Sequence, residues 1–405
     1  MDGSLLAASV STTRAGHRPP PGASFGTAPA PARALDAGMG LAVARRTVFR
    51  PEDAECFGRV ADRVAAGNVG LLGAAAGDAV VEQARLRNAI ASGALITSGR
   101  HLQHGDATQP GRGMEVFTNC ATAITSFAKF YLLLNGSGVG RSYDDALMAV
   151  DWAEAPEILL HLDAAHPDWP RTPEALQRVA GEFGLLRWGA AWDAAAAAGT
   201  HEVLPQPGAA PAGALHHRIA DSREGWAKAI ELIESLAHAG ARGRCVVLDL
   251  SAIRPNGAPI AGMQGRPASG PLSLLRALIA IRRDVIGAAR TRDPAAEAMQ
   301  PWEQALLVDH LLSVEVQVGG ARRAARMATK SWRDPGVLRF IRAKSEGGLW
   351  TANNSVMVDR EFWNRVRAGG DDRPSAHARA IFEEATRCAY INGEPGFING
   401  DLLED

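Results

Sequence analysis

Cys120 closes the segment Glu115-Val-Phe-Thr-Asn-Cys120, where a thiol stands beside the polar Thr118 and Asn119. A lone cysteine more often fills a core as a small inert residue, whereas a reactive one works through its thiolate. The polar neighbours tilt the balance toward the reactive reading. A second cluster, Ser98-Gly-Arg-His-Leu-Gln-His-Gly105, lies just upstream. His101 and His104 can share one helix face and bind a metal. No third ligand accompanies them, so ordinary hydrogen-bonded histidines are the simpler expectation.

Three glycines alternate in Asn135-Gly-Ser-Gly-Val-Gly-Arg141. Gly136, Gly138 and Gly140 would let backbone amides come close to a ligand. The spacing is neither the dinucleotide fingerprint nor a phosphate-binding P-loop, and a plain tight turn is an equal alternative. The Gly/Pro-rich stretch from Ile253 to Gly262, continuing as Gly265-Arg-Pro-Ala-Ser-Gly-Pro271, reads as a connection or a site loop. In Gly319-Gly-Ala-Arg-Arg-Ala-Ala-Arg326 three arginines fall within five residues. They could grip phosphates or carboxylates through paired hydrogen bonds, or form a solvated basic turn.

These groups need rigid elements behind them. From Pro51 to about residue 91 the pattern is helical, with Phe57, Val60, Ala61 and Val64 at helix spacing. Residues 117–134 are largely apolar. Asp221 and Glu224 are spaced as a capping box before a rhythm at Trp226, Ile230, Ile233 and Leu236, which predicts a helix ending at Gly240. A buried strand is expected at Cys245–Leu250. Helices are expected over 272–289 and 301–312, and strands over 314–318 and 350–358, so that the arginine cluster directly follows a strand. The alternation predicts an α/β fold.

The 405 residues are 46% hydrophobic and carry a formal net charge of -1. That is enough for a large core, and it gives no electrostatic reason to expect DNA or an anionic membrane as partner. Cys56, Cys120, Cys245 and Cys388 are too scattered for a disulfide framework or a zinc ribbon. A reducing cytoplasm fits, no apolar run is long enough to span a bilayer, and no secretory leader is evident. Residues 1–45, rich in Ala and Pro, are expected to be disordered, 46–115 mainly helical, and 116–405 an α/β unit. An Ala/Pro-rich insertion is expected near 192–215.

Taken in order, several segments resemble the large, catalytic subunit of ribonucleotide reductases. They are Arg100-His-Leu-Gln-His-Gly105, Thr118-Asn-Cys120, Gly136-Ser-Gly-Val-Gly140, Asp221-Ser-Arg-Glu-Gly-Trp226, the loop at Arg254 with Ala268-Ser-Gly-Pro271, Gly319–Ala325, Asn353-Asn-Ser-Val356 and Gly393-Glu-Pro-Gly396. The Asp221 and Ala268 elements are most similar to the class II enzymes, which use adenosylcobalamin. The resemblance implies a helical region followed by the first half of a ten-stranded α/β barrel. It implies reduction of a ribonucleotide by thiyl-radical chemistry that the cofactor initiates.

By the same resemblance, Cys120 matches the first cysteine of the reducing pair. Its S–H would protonate the departing hydroxyl, and its thiolate would then close a disulfide. Thr118 and Asn119 would lie near the ribose, with Gly136, Gly138 and Gly140 beside the substrate. Arg322, Arg323 and Lys330 match the region that relays the identity of a dNTP or ATP effector. A thioredoxin-type reductant is implied as well. The family's radical motif, Asn-x-Cys-x-Glu, is not found after Gly393–Gly396, and Cys388 is a poor substitute for it. The expectation is therefore an N-terminal portion, completed by a longer frame or a second polypeptide. The alternatives are a non-catalytic remnant that only binds nucleotide, or a large subunit of the diiron class.

Overall fold

A computed structural model describes residues 38–71, 78–95, 97–105, 120–183, 203–204, 210–260, 265–291, 297–316, 324–345, 347–369 and 372–403. Helices α1 (Gly38–Thr47), α2 (Phe57–Gly70), α3 (Ala79–Ser92) and α4 (Gly99–His104) form the N-terminal region. Its core is Phe57, Val60, Ala61 and Val64 on α2, met by Ala44, Val48, Phe49 and Ile90. Order therefore begins before residue 45. Helix α1 covers 38–47 because Ala44 and the residues just after it have α2 to pack against. Residues 1–37 and most of 192–215 lie outside the described residues.

Eleven strands follow among the described residues: β1 (Cys120–Thr122), β2 (Gly138–Ser142), β3 (Glu157–His161), β4 (Val203–Leu204), β5 (Leu215–Arg218), β6 (Cys245–Asp249), β7 (Pro259–Ile260), β8 (Arg266–Pro267), β9 (Ala325–Ser331), β10 (Ala352–Val358) and β11 (Gly396–Asn399). Five of them form a wholly parallel sheet in the order β1-β2-β9-β10-β11. A second parallel sheet, β4-β3-β6-β5, is set between β2 and β9 in chain order. Strands β7 and β8 make a small antiparallel hairpin.

Parallel neighbours need crossovers, and helices supply them. These are α5 (Ser126–Leu134), α6 (Pro173–Phe183), α7 (Arg223–His238), α8 (Pro271–Ala280), α9 (Pro301–Val314), α10 (Val337–Arg342), α11 (Arg360–Ala368) and α12 (Arg373–Asn392). Helix α8 continues through a π-helical turn, Ile281–Gly287, to Arg290. Helix α7 appears where the apolar rhythm predicted it. Its cap, however, is Ser222, whose hydroxyl accepts from Gly225 N at 3.0 Å, while Asp221 pairs with Arg254 at 2.6 Å.

Of the strand expected over 314–318, the described residues 314–316 form none. Helix α9 runs through Val314, and Val308, Leu312 and Val316 are buried at four-residue spacing. The local valine alternation yields to that packing. Arg326, the last arginine of the cluster, consequently lies within a strand, β9, instead of following one.

The five-stranded sheet has two unlike faces. Val139, Ala328 and Val356 pack beneath it against the helices. Most of the alternate positions, among them Gly138, Gly140, Met327 and Asn353, stay exposed or half-buried, whereas Ser355 is buried. No described helix covers that side.

Candidate functional site

Cys120 opens β1 on the uncovered face, and its thiol is free and exposed. Register places it opposite Gly138, with Thr122 opposite Gly140. Paired residues in a parallel ladder project to the same side. Gly138 pairs onward with Ala325, Gly140 with Met327, and Met327 with Asn353. Two rungs thus cross the sheet: Cys120–Gly138–Ala325, and Thr122–Gly140–Met327–Asn353. Thr118 and Asn119 lie outside the described residues.

The three glycines do different jobs. Gly136 has φ +83°, donates to Leu133 O at 2.8 Å and lets Ser137 N reach Leu132 O at 3.0 Å. That pattern ends α5, so Gly136 is a helix terminator. Gly138 and Gly140 are strand residues. A Cβ on Gly140 would find nothing nearer than 3.9 Å. The fold does not require a glycine there, and a glycine within a strand often marks the close approach of a ligand or another backbone.

Beneath the open face lies a buried ionic cluster. Asp309 of α9 accepts from Tyr143 Oη at 2.5 Å and faces Lys129 at 3.3 Å and Arg141 at 3.2 Å. Arg326 donates to Tyr143 Oη at 3.2 Å and to Thr351 Oγ1 at 2.7 Å, and Thr351 lies 2.8 Å from His310 Nδ1. Burial alone would raise the Asp309 pKa, but Lys129, Arg141 and Arg326 together hold it below the usual carboxylate range. Burial pushes Lys129 down to about 7 against the pull of Asp309, with Arg326 and Arg141 adding to the fall. Burial likewise lowers His310 to about 4, reinforced by Arg326 and Lys344. Glu234 of α7 accepts from Ser126 N at 2.9 Å and Phe127 N at 3.0 Å, placing a carboxylate on the N-terminus of α5.

Lys330 is not a loop residue. It lies within β9, fully buried on the helix-covered side, 2.8 Å from both Asp145 and Asp334 and 4.6 Å from the centroid of Trp302. A cation without water needs such partners, and these tie the end of β2 to the end of β9. Arg322 and Arg323 lie outside the described residues. His101 sits 2.8 Å from the Asn68 amide nitrogen, the His104 side chain lies outside the described residues, and no cluster of three potential metal ligands occurs among those described. Arg254 binds Asp221, and Asn256 N donates to Asp168 at 2.8 Å, so two of the sequence motifs meet as a clamp at the ends of β5 and β6.

Lys129, Tyr143 and Asp309 lie outside the motifs, and Arg141 closes the glycine motif without having been singled out. Their signal was charge at apolar positions: Lys129 inside Phe127–Leu134, and Asp309 inside Ala305–Leu312. A cavity of about 530 Å³ opens elsewhere, between Arg50, Phe49 and Gly265. No residue of the two rungs lines it, and its Arg45 and Glu55 already satisfy each other at 2.6 Å.

The parallel sheet flanked by helices makes this an α/β protein. A crystal structure of the B12-dependent (class II) enzyme overlays with a TM-score of 0.58 at 24% identity, over 89% of this chain and 49% of that one. Residues 190–285 match the family described as B12-dependent ribonucleotide reductase, insertion domain. A protein of Mycobacterium phage D29, described as an adenosylcobalamin-dependent ribonucleoside-triphosphate reductase, is 30% identical over 67% of this chain and 37% of its own length. The reductase of that name from Lactobacillus leichmannii is 33% identical over 48% of this chain and 24% of its own. The likeness to the class II large subunit, first carried by the motifs, is therefore found in sequence and fold alike. The chain spans well under half the length of these two relatives.

Proposed function

We propose that this chain is the substrate-side portion of an adenosylcobalamin-dependent ribonucleotide reductase. The observation that carries the reading is the free thiol of Cys120, in register with Gly138 on the uncovered face of the parallel sheet. A ribonucleoside di- or triphosphate would lie over the two rungs, with Thr118 and Asn119 near the ribose and Gly138 and Gly140 beneath it.

Cys120 donates a proton to the departing 2′ oxygen, which leaves as water. Its sulfur then joins a second cysteine in a disulfide, releasing two electrons and the second proton to the ribose. A thioredoxin-type dithiol reopens that disulfide. Adenosylcobalamin, when bound, supplies the homolysis that starts the radical. The bare face fits such a role, since it offers a thiol among hydroxyl, amide and glycine positions. The corrin brings its own cobalt ligands, so the cofactor asks for no metal-binding cluster from the protein. We assign no described residue to the corrin itself.

Arg322 and Arg323 would read a dNTP or ATP effector. Lys330 would support them indirectly, by anchoring β9. The thiyl cysteine would come from an Asn-x-Cys-x-Glu segment on a longer frame or a second polypeptide, completing a ten-stranded barrel. The test is dNTP formation by the complete enzyme that carries this chain. Formation should require adenosylcobalamin and vanish in Cys120→Ser. Turnover that proceeds without adenosylcobalamin, or that survives Cys120→Ser, would sink the reading.

A further inference from the structure

The second rung extends past the residues assigned so far. Thr122, Gly140, Met327 and Asn353 stand side by side on four adjacent strands. Three interstrand spacings make that row roughly 14 Å long, comparable with a nucleotide laid flat. Met327 is 37% exposed although β9 is the middle strand of the sheet, and Asn353 is exposed beside it. The space above Gly140 is open. A large apolar side chain left bare on a central strand is unusual, and an amide next to it supplies both a donor and an acceptor.

We infer that Met327 and Asn353 form the base-side wall of the nucleotide seat, the thioether lying against the flat ring and the carboxamide meeting its polar edge. The inference rests on the reading above and goes beyond it by placing the heterocycle on β9 and β10. A polarizable sulfur attracts an aromatic ring, and its flexible stem accommodates rings of different size. The inner face of β10 is filled by Asn354, Val356 and Val358, so the outward Asn353 can be changed without disturbing that packing.

The experiment is alkylation of Cys120 in the 405-residue chain by iodoacetamide, followed by mass spectrometry of its peptide. The exposed Cys56, remote in sequence, serves as the internal reference. CTP is expected to slow alkylation of Cys120 and leave Cys56 unchanged. Met327→Ala and Asn353→Ala should each raise the CTP concentration for half-protection by roughly three- to tenfold. Protection by inorganic tripolyphosphate, which has no base, should be the same in both variants as in the parent chain. If the variants are protected by CTP as well as the parent chain is, this wall is not where the base lies, and the nucleotide reading stands without it. If CTP fails to protect Cys120 in the parent chain, the nucleotide reading fails and the inference falls with it.

Discussion

Asp309 is the residue on which the underside of the sheet depends. It is fully buried and faces the cations of α5 and β2 directly, with Arg326 of β9 joined through Tyr143. Asp309→Asn removes the negative charge and leaves buried cations uncompensated, so it should cost about 3–5 kcal/mol in urea unfolding. Lys129→Met should behave differently, because Asp309 keeps Arg141 and Tyr143. Lys129 binds its proton more weakly folded, at about 7, than unfolded, near 10.5. Between those values the unfolded chain holds the extra proton, so stability should rise with pH, by at most about 1.4 kcal/mol per unit. The rise should flatten in Lys129→Met. His310 acts in the same direction lower down: its folded value of about 4 means stability falls as pH drops from 6.5 toward 4. Replacing His310 with Gln and repeating the titration should remove that loss.

At the scale of elements, helices were more legible than strands: α2, α3, α7, α8 and α9 stand where the spacing put them, whereas only β6 and β10 of the strands were foreseen. Amphipathic spacing marked α2 and α7 because one face of each meets a core. The 314–318 alternation misled because a period-two pattern so short cannot outweigh a helix that runs through Val314 and whose buried spacing reaches Val316. The site was legible as residue types, since Cys120 and the glycines stand out by chemistry. What stayed hidden was the register that lines Cys120 up with Gly138 and Gly138 with Ala325, the second of which pairs strands far apart in the chain. The four-stranded sheet was hidden for the same reason, its partners being joined over some 90 residues. Ser222→Ala should cost about 1 kcal/mol by removing the cap of α7, readable as a lowered Tm. A comparable loss in Asp221→Ala with none in Ser222→Ala would restore the cap first expected from the sequence.

At the scale of the molecule, the five-stranded sheet has β1 and β11 at its edges and one face without helices. Unpaired edges and a bare face favour association, and closure into a barrel removes both. The reading predicts no turnover from these 405 residues alone, because none of Cys56, Cys245 and Cys388 stands in an Asn-x-Cys-x-Glu setting. Deoxynucleotide production by the purified chain would contradict it. The most direct measurement is calorimetric titration of the chain and its Gly140→Ala variant with a ribonucleoside triphosphate, alongside their Tm values. The added methyl meets nothing closer than 3.9 Å and replaces a costly strand glycine, so stability should hold or rise by up to about 1 kcal/mol. Binding should be lost, because the methyl occupies the space into which the nucleotide settles. Equal affinity in the parent and Gly140→Ala chains would contradict the account, since the open face would then not be the seat.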